Sequence, residues 1–314
     1  MGTTDWQLVK QRTADADGAV YVSADGEHYR RTGGKALQDE AAFQQMVATL
    51  DYPVPRVLEH GDMGDGTFYV VEESLGGQSL HEMALASLDG GRELYDAVVD
   101  QLAQVSARLL YAQAEHPVDP ELGALRQWVE QAGWTHNVFA ENPDFDTPRT
   151  HAALTRAMDQ LDGVPLCWGH LDYGLPNVLP AGVIDWQHHG VMPLGYDVAL
   201  ALEVIPFKGG AKGYAATPAQ RERYLAALDS AAQVAGTSPV SPRLGAFLLV
   251  KSLFFLALMR PSDPARADKH HKWQYRRHLF LKGLEQYERT GNIDTALFPT
   301  LDDFAAGQGA ADRP

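Results

Sequence analysis

The stretch Gly169-His170-Leu171-Asp172-Tyr173-Gly174-Leu175-Pro176-Asn177-Val178-Leu179 is followed closely by Gly182-Val183-Ile184-Asp185-Trp186. It sets an acid, an amide and a second acid at short intervals. Asn177 lies five residues after Asp172, and Asp185 lies eight after Asn177, at the end of the apolar pair Val183-Ile184. This order and spacing suit phosphoryl transfer to an alcohol. Such a reaction needs a carboxylate that orients the hydroxyl and accepts its proton, the role expected of Asp172. It also needs oxygen ligands for the Mg²⁺ that neutralises a triphosphate; Asn177 offers an amide oxygen and Asp185 a carboxylate. His170 reads as a brace beneath the loop. Each residue alone has an ordinary explanation, since Asn177 suits a turn and Asp185 a helix cap. The combination carries the reading.

The elements that must position these groups fall into two parts. Residues 1–75 read as a small α+β unit. Short strands are expected at Trp6–Lys10, Ala19–Ser23, Glu27–Arg31, Val57–Glu59 and Thr67–Glu72, with Asp17-Gly18 and Asp25-Gly26 as turns. One helix from Ala36 to Leu50 is inserted, stopped by Pro53 and Pro55. Residues 76–314 read as mostly helical. Leu94, Val98, Leu102, Val105 and Leu109 recur at helical spacing. Residues 116–150 look like helix fragments in an insertion, and 218–289 are again helical.

The loop GHLDYGLPNVL…GVIDW and the segment Gly190–Leu200, GVMPLGYDVAL, resemble the aminoglycoside phosphotransferase and choline kinase superfamily. The helix opened near Glu40, the run Tyr52–Val57 and the strand FYVVEESLGGQSL resemble it too, so that the likeness spans roughly residues 6–205. The resemblance implies a two-lobed protein-kinase-like α+β fold with a β-rich N-terminal lobe and a larger helical C-terminal lobe. It implies ATP or GTP as donor, Mg²⁺, and a hydroxylated small molecule as acceptor. It implies that the backbone of Glu73 to Leu75 is the hinge holding the nucleotide base. Three departures accompany it. Leu171 stands where the family has Gly. The strand that should carry a phosphate-binding lysine reads His28-Tyr29-Arg30-Arg31-Thr32, so an arginine must serve, and strand alternation lets only one face the nucleotide. Arg30 is the expected one, paired with Glu40. The loop Thr13–Gly18, TADADG, is acidic and has one glycine, a poor phosphate cradle. The missing lysine and this loop motivate a rival reading, a catalytically silent scaffold of the same fold.

Composition narrows the partners. An apolar fraction of 45% and a charged fraction of 21% are ordinary for a globular chain. A formal charge of −15 argues against nucleic acid and anionic membranes and favours a cationic acceptor, as in the antibiotic-resistance kinases. A metabolic acceptor such as choline, a sugar, an amino alcohol or a glycated amine is the alternative. Cys167 is the only cysteine, which excludes an intrachain disulfide, and a cytoplasmic location is expected. The run Leu244–Met259, interrupted by Lys251, reads as a buried helix and not a membrane span. Asp197 is expected to be a capping residue, and the pairs His188-His189 and His270-His271 surface or loop residues. Between Arg266 and Lys282, Trp273, Tyr275 and Phe280 read as core and the basic residues as a solvated face.

Overall fold

Turn residues and alternating apolar positions fold the first part of the chain into a five-stranded antiparallel sheet. In the computed structural model, which describes residues 5–12, 18–64, 66–88, 91–118, 134–206, 213–257 and 266–311, the strands are β1 (Trp6–Arg12), β2 (Gly18–Ser23), β3 (His28–Gly33), β4 (Val57–Asp62) and β5 (Phe68–Glu73). Their order is β1-β2-β3-β5-β4. Helix α1 (Lys35–Ala48) crosses between β3 and β4 and packs Leu37 and Ala41 on Val70 of β5. It ends at Thr49, and the left-handed Asp51 (φ 58°) and Pro53 turn the chain away. Every expected strand of this unit forms, most of them a residue or two longer than the turn signals suggested. The acidic residues Thr13–Asp17 lie outside the described residues.

The remainder is helical around one continuous apolar core. Helix α2 (Leu80–Ser87) begins with a capping box between Ser79 and Glu82. Helix α3 (Asp96–Glu115) buries Val98, Leu102, Val105 and Leu109, the face its spacing predicts. Each such side chain contributes about 1.5–3 kcal/mol on leaving water. Within the expected insertion, 119–133 lie outside the described residues; helices α4 (Trp134–Glu141) and α5 (Pro148–Leu161) follow. Two small ribbons come next. Strand β6 (Leu166–Gly169) pairs with β9 (Gly190–Pro193), and β7 (Val178–Leu179) with β8 (Gly182–Val183). The short α6 (Tyr196–Ala199) leads to α7 (Pro218–Val234), α8 (Leu244–Ala257), α9 (Ala267–Thr290) and α10 (Leu301–Ala311).

Helix α8 is apolar nearly all round and sits in the core, with Phe247, Leu248, Leu249 and Leu253 inaccessible. No described helix is long and apolar enough to cross a membrane. In α9, Tyr275 and Phe280 are fully buried, as expected; Arg276, expected among solvated charges, is buried as well.

The two lobes meet at a tight seam. The Val183 N–H donates to the Pro53 carbonyl at 2.7 Å, and the Ala181 N–H to the Leu75 carbonyl at 3.1 Å. A Cβ on Gly182 would sit 2.2 Å from the Pro53 oxygen, so only glycine permits this approach.

Candidate active site

The ribbon β6–β9 carries the loop that holds Asp172. Gly169 faces Gly190 in register, and a Cβ on Gly169 would lie 1.9 Å from the Met192 sulfur. His170 follows, fully buried. Its Nε2 lies 2.8 Å from the Ile184 carbonyl, its ring stands edge-on to Trp186 at 4.9 Å, and Nδ1 has no hydrogen-bond partner among the described residues. Burial holds its pKa below the usual imidazole range, against the pull of Asp197, Asp172 and Asp185. A neutral ring that donates from Nε2 satisfies the carbonyl, and His170 is a brace and not a base.

Asp197 grips the same loop from below. Its two carboxylate oxygens accept the backbone N–H groups of His170 at 2.5 Å and Leu171 at 3.1 Å. It does not cap its own helix, whose N-cap is Gly195. Burial raises its pKa, opposed by Lys251 and by those two N–H groups. Leu171 adopts a left-handed conformation (φ 64°), the conformation that explains why glycine suits this position in similar chains.

Beyond Asp172 the chain makes a short 3₁₀ turn, Leu175–Asn177. The Asn177 amide nitrogen donates to the Asp172 carbonyl at 3.0 Å and approaches its carboxylate at 3.4 Å. The Asn177 backbone carbonyl accepts the Ile184 N–H at 2.9 Å, tying this turn to the segment that leads from β8 into Asp185. Asp185 is left-handed (φ 66°) and opens the 3₁₀ turn Trp186–His188. Asp172, Asn177 and Asp185 are thus joined through one backbone unit, all half-buried.

The sheet side differs from expectation. Glu40 pairs with Arg31, not Arg30, through Nη1 at 2.8 Å. Arg31 also meets Glu72 through Nε at 3.2 Å, and Gln44 joins the cluster by donating to Glu72 at 3.1 Å and to the Pro55 carbonyl at 2.7 Å. Arg30 lies on the opposite face, its guanidinium 5.2 Å from the Tyr69 ring. The reason is register. Arg31 stands opposite Val70, which is fully buried, so that phase of β3 points toward α1. The bulk of Tyr29 is no guide to the face. Burial works against the Arg31 charge, but attraction to Glu72, Glu40 and Asp185 outweighs it and holds the pKa above the ordinary value. Glu40 reaches further still, accepting the Trp186 N–H at 2.9 Å immediately after Asp185. A cavity of about 120 Å³ opens beside this cluster, lined by Gly18, Ala19, Arg31, Lys35, Glu40 and Gln187 among others.

Around the expected hinge, the Glu73 N–H donates to the Arg56 carbonyl at 3.0 Å, and the Glu73 side chain pairs with Arg56. The Leu75 carbonyl is held by Ala181 at 3.1 Å. Four residues escaped the sequence reading. Glu72 could have been found from the β5 alternation, in which it shares the phase of Val70, and Gln44 from its place one helical turn after Glu40 on α1. His189, expected to be a loop residue, stacks on Phe43 of α1 at 3.6 Å. Lys251, read only as an interruption in an apolar helix, is buried against the loop that holds Asp172.

A Mg²⁺ site is compatible with this donor set. Asn177 turns its amide nitrogen into the loop, and its side-chain oxygen and the Asp185 carboxylate are the oxygens that would hold the cation. Among the described residues there is no group of three or more His, Cys, Asp or Glu able to hold a metal. Mg²⁺ suits such a sparse site, since it takes one or two protein oxygens and completes its shell with phosphate and water.

No curated protein matches this chain. Solved structures do. A thermostable mutant of aminoglycoside phosphotransferase APH(4)-Ia, in a ternary complex with AMP-PNP and hygromycin B, is 17% identical with a TM-score of 0.55, over 93% of this chain and 96% of that one. A Ralstonia eutropha protein described as an aminoglycoside phosphotransferase is 14% identical with a TM-score of 0.61, over 92% and 94%. A mutant of aminoglycoside 2′-phosphotransferase-IIIa in complex with GDP is 15% identical with a TM-score of 0.53, over 90% and 92%. These likenesses establish the two-lobed kinase-like fold. The profile of the phosphotransferase enzyme family matches residues 27–238, and the chain belongs to that family.

Proposed function

We propose that this protein transfers the γ-phosphoryl group of ATP or GTP to a hydroxyl of a small, cationic molecule. The observation that carries the reading is the Glu40 carboxylate, which joins Arg31 to the backbone next to Asp185. A guanidinium held by two buried acids beside a left-handed Asp has no need of that arrangement for packing alone. It suits a site that must gather phosphate oxygens and a metal-binding carboxylate at one point.

In this reading Arg31 contacts the phosphates, Glu40 and Glu72 hold it, and the Glu73 carbonyl and Leu75 N–H meet the base. Asn177 and Asp185 hold Mg²⁺, which supplies charge neutralisation on the triphosphate. Asp172, its carboxylate oriented by Asn177, accepts the hydroxyl proton as the new O–P bond forms. The acceptor is placed between this loop and the helices of the C-terminal lobe. The net charge of −15 favours an ammonium-bearing acceptor, and structures of similar fold carry hygromycin B or a nucleotide.

The test is nucleotide turnover against a panel of aminoglycosides and amino alcohols, read together with Mg²⁺-dependent stabilisation by nucleotide. At about 100 times its dissociation constant a nucleotide adds about 2.7 kcal/mol. Asp185→Ala is expected to remove most of that stabilisation and leave the apo protein folded. An undiminished Mg²⁺-dependent shift in the variant would sink the metal assignment; no turnover with any acceptor would favour the silent scaffold.

A further inference from the structure

Lys251 lies on α8, beyond residue 238, where the family match ends. It is 4% exposed, yet it carries a charge. Its ammonium donates to the Leu171 carbonyl and sits 4.7 Å from the Phe254 ring centroid, 5.4 Å from that of Phe255 and 5.5 Å from that of Tyr196. A buried ammonium is costly unless bonded, and a leucine in the left-handed region is strained. Here the two costs meet at one residue. Asp197 holds the N–H of Leu171, Lys251 holds its carbonyl, and the next residue is Asp172.

We propose that Lys251 is a positioning residue that locks Leu171 in its left-handed conformation and thereby aims the Asp172 carboxylate. The proposal rests on the phosphotransferase reading for its kinetic consequence and on geometry alone for the clamp. With both ends of Leu171 fixed, the peptide that leads into Asp172 has one orientation. Without the lysine, the Leu171 carbonyl would be free to rotate and relieve the strained φ. The aromatic rings around the ammonium exclude water that could replace it and add cation–π attraction that keeps it in place.

The experiment is a double-mutant cycle of Lys251→Met with Leu171→Gly. Glycine takes the left-handed conformation without strain, so a glycine released from the clamp has no strain to recover. The loss of melting temperature caused by Lys251→Met is expected to be larger when Leu171 is glycine than when it is leucine, because a released leucine recovers its strain and offsets part of the lost contact. Equal losses in the two backgrounds would overturn the clamp. The kinetic arm uses an acceptor on which the wild type is active. Lys251→Met is expected to lower kcat about tenfold with the nucleotide KM within about twofold, since a small misplacement of a reacting group costs rate and not affinity. A KM that rises in step with the lost kcat, or an unchanged kcat, overturns the positioning role. If Lys251→Met does not fold, Lys251→Arg keeps the charge but moves the donor. A reduced kcat at wild-type nucleotide KM then supports the proposal, and a wild-type kcat overturns it. A wild type inactive with every acceptor sinks the phosphotransferase reading, and the melting cycle still decides the clamp.

Discussion

The sheet lobe and the region beneath the Asp172 loop both bury carboxylates, and they compensate them in different ways. In the sheet lobe, Glu40 and Glu72 face a guanidinium, so charge meets charge between side chains from β3, α1 and β5. Beneath the loop that holds Asp172, Asp197 of α6 faces two backbone N–H groups. The first arrangement fixes a charged side chain; the second fixes the path of the chain. Glu40 and Asp197 are alike in chemistry and burial, yet Glu40 divides its bonds between the Arg31 side chain and the Trp186 N–H, while Asp197 gives both oxygens to backbone N–H groups. The lesson is that a buried acid is read from its partner, not from its own type.

The contrast is tested most severely at the end of the fixed path. Asp172→Asn keeps shape and hydrogen bonding but removes the proton acceptor. General-base assistance is worth about 10²–10⁴ in rate, so turnover is expected to fall by at least about 100-fold. Nucleotide affinity is expected to stay near wild type, because the reading assigns Asp172 to the acceptor and not to the metal. Steady-state kinetics and nucleotide-induced melting shifts on the same protein check both halves. Turnover at the wild-type rate would detach the loop from the chemistry.

Arg31→Ala probes the other arrangement. It strands Glu40 and Glu72 without their cation, and breaking a buried pair from one side costs about 3–5 kcal/mol. Denaturant melts should register that loss, together with weaker nucleotide binding. Arg30→Ala removes a cation–π contact with Tyr69, worth about 0.5–1 kcal/mol at a site open to solvent. Comparable losses from the two variants would mean that the Arg31 cluster contributes no more than a surface contact.

How much of this was legible in the sequence follows the same divide. Asp172, Asn177 and Asp185 could be expected to lie together because their spacing is local, and the Asn177–Asp172 and Ile184–Asn177 hydrogen bonds do link them. The five strands and α1 were legible because turn residues and alternation are short-range signals. The choice between Arg30 and Arg31 was not, since it depends on which face of β3 meets α1. That face is decided by pairing with β5, 39 positions along the chain at Val70. Lys251 was further out of reach, 80 residues from the carbonyl it holds. A lysine inside an apolar helix signals that something buried must receive it, but not what. His189 is the loop residue it was expected to be, and only its stacking on Phe43, from the other lobe, lay out of reach.

The smallest expected effect concerns His170, which sits where the loop and the segment leading into Asp185 meet. Its pKa is lowered in the fold because a second N–H at Nδ1 would be buried without an acceptor. In the unfolded chain the ring titrates near its ordinary 6.5. Between that value and the lower folded one, the unfolded state binds a proton that the native state does not. Stability therefore rises with pH across this window and falls as the solution is acidified through 6.5. One proton sets a ceiling of about 1.4 kcal/mol per pH unit. His170→Gln keeps a donor for the Ile184 carbonyl and removes the titration. Melting temperatures of wild type and variant are expected to run parallel above neutrality and to converge below it, as the wild type alone pays this acid penalty. The difference between the two curves cancels carboxylates common to both proteins. Curves that stay parallel to pH values well below 6.5 would show that His170 takes up its proton as readily in the fold as outside it. The loop would then be braced by a charged ring, with Nδ1 finding an acceptor that the native packing does not supply.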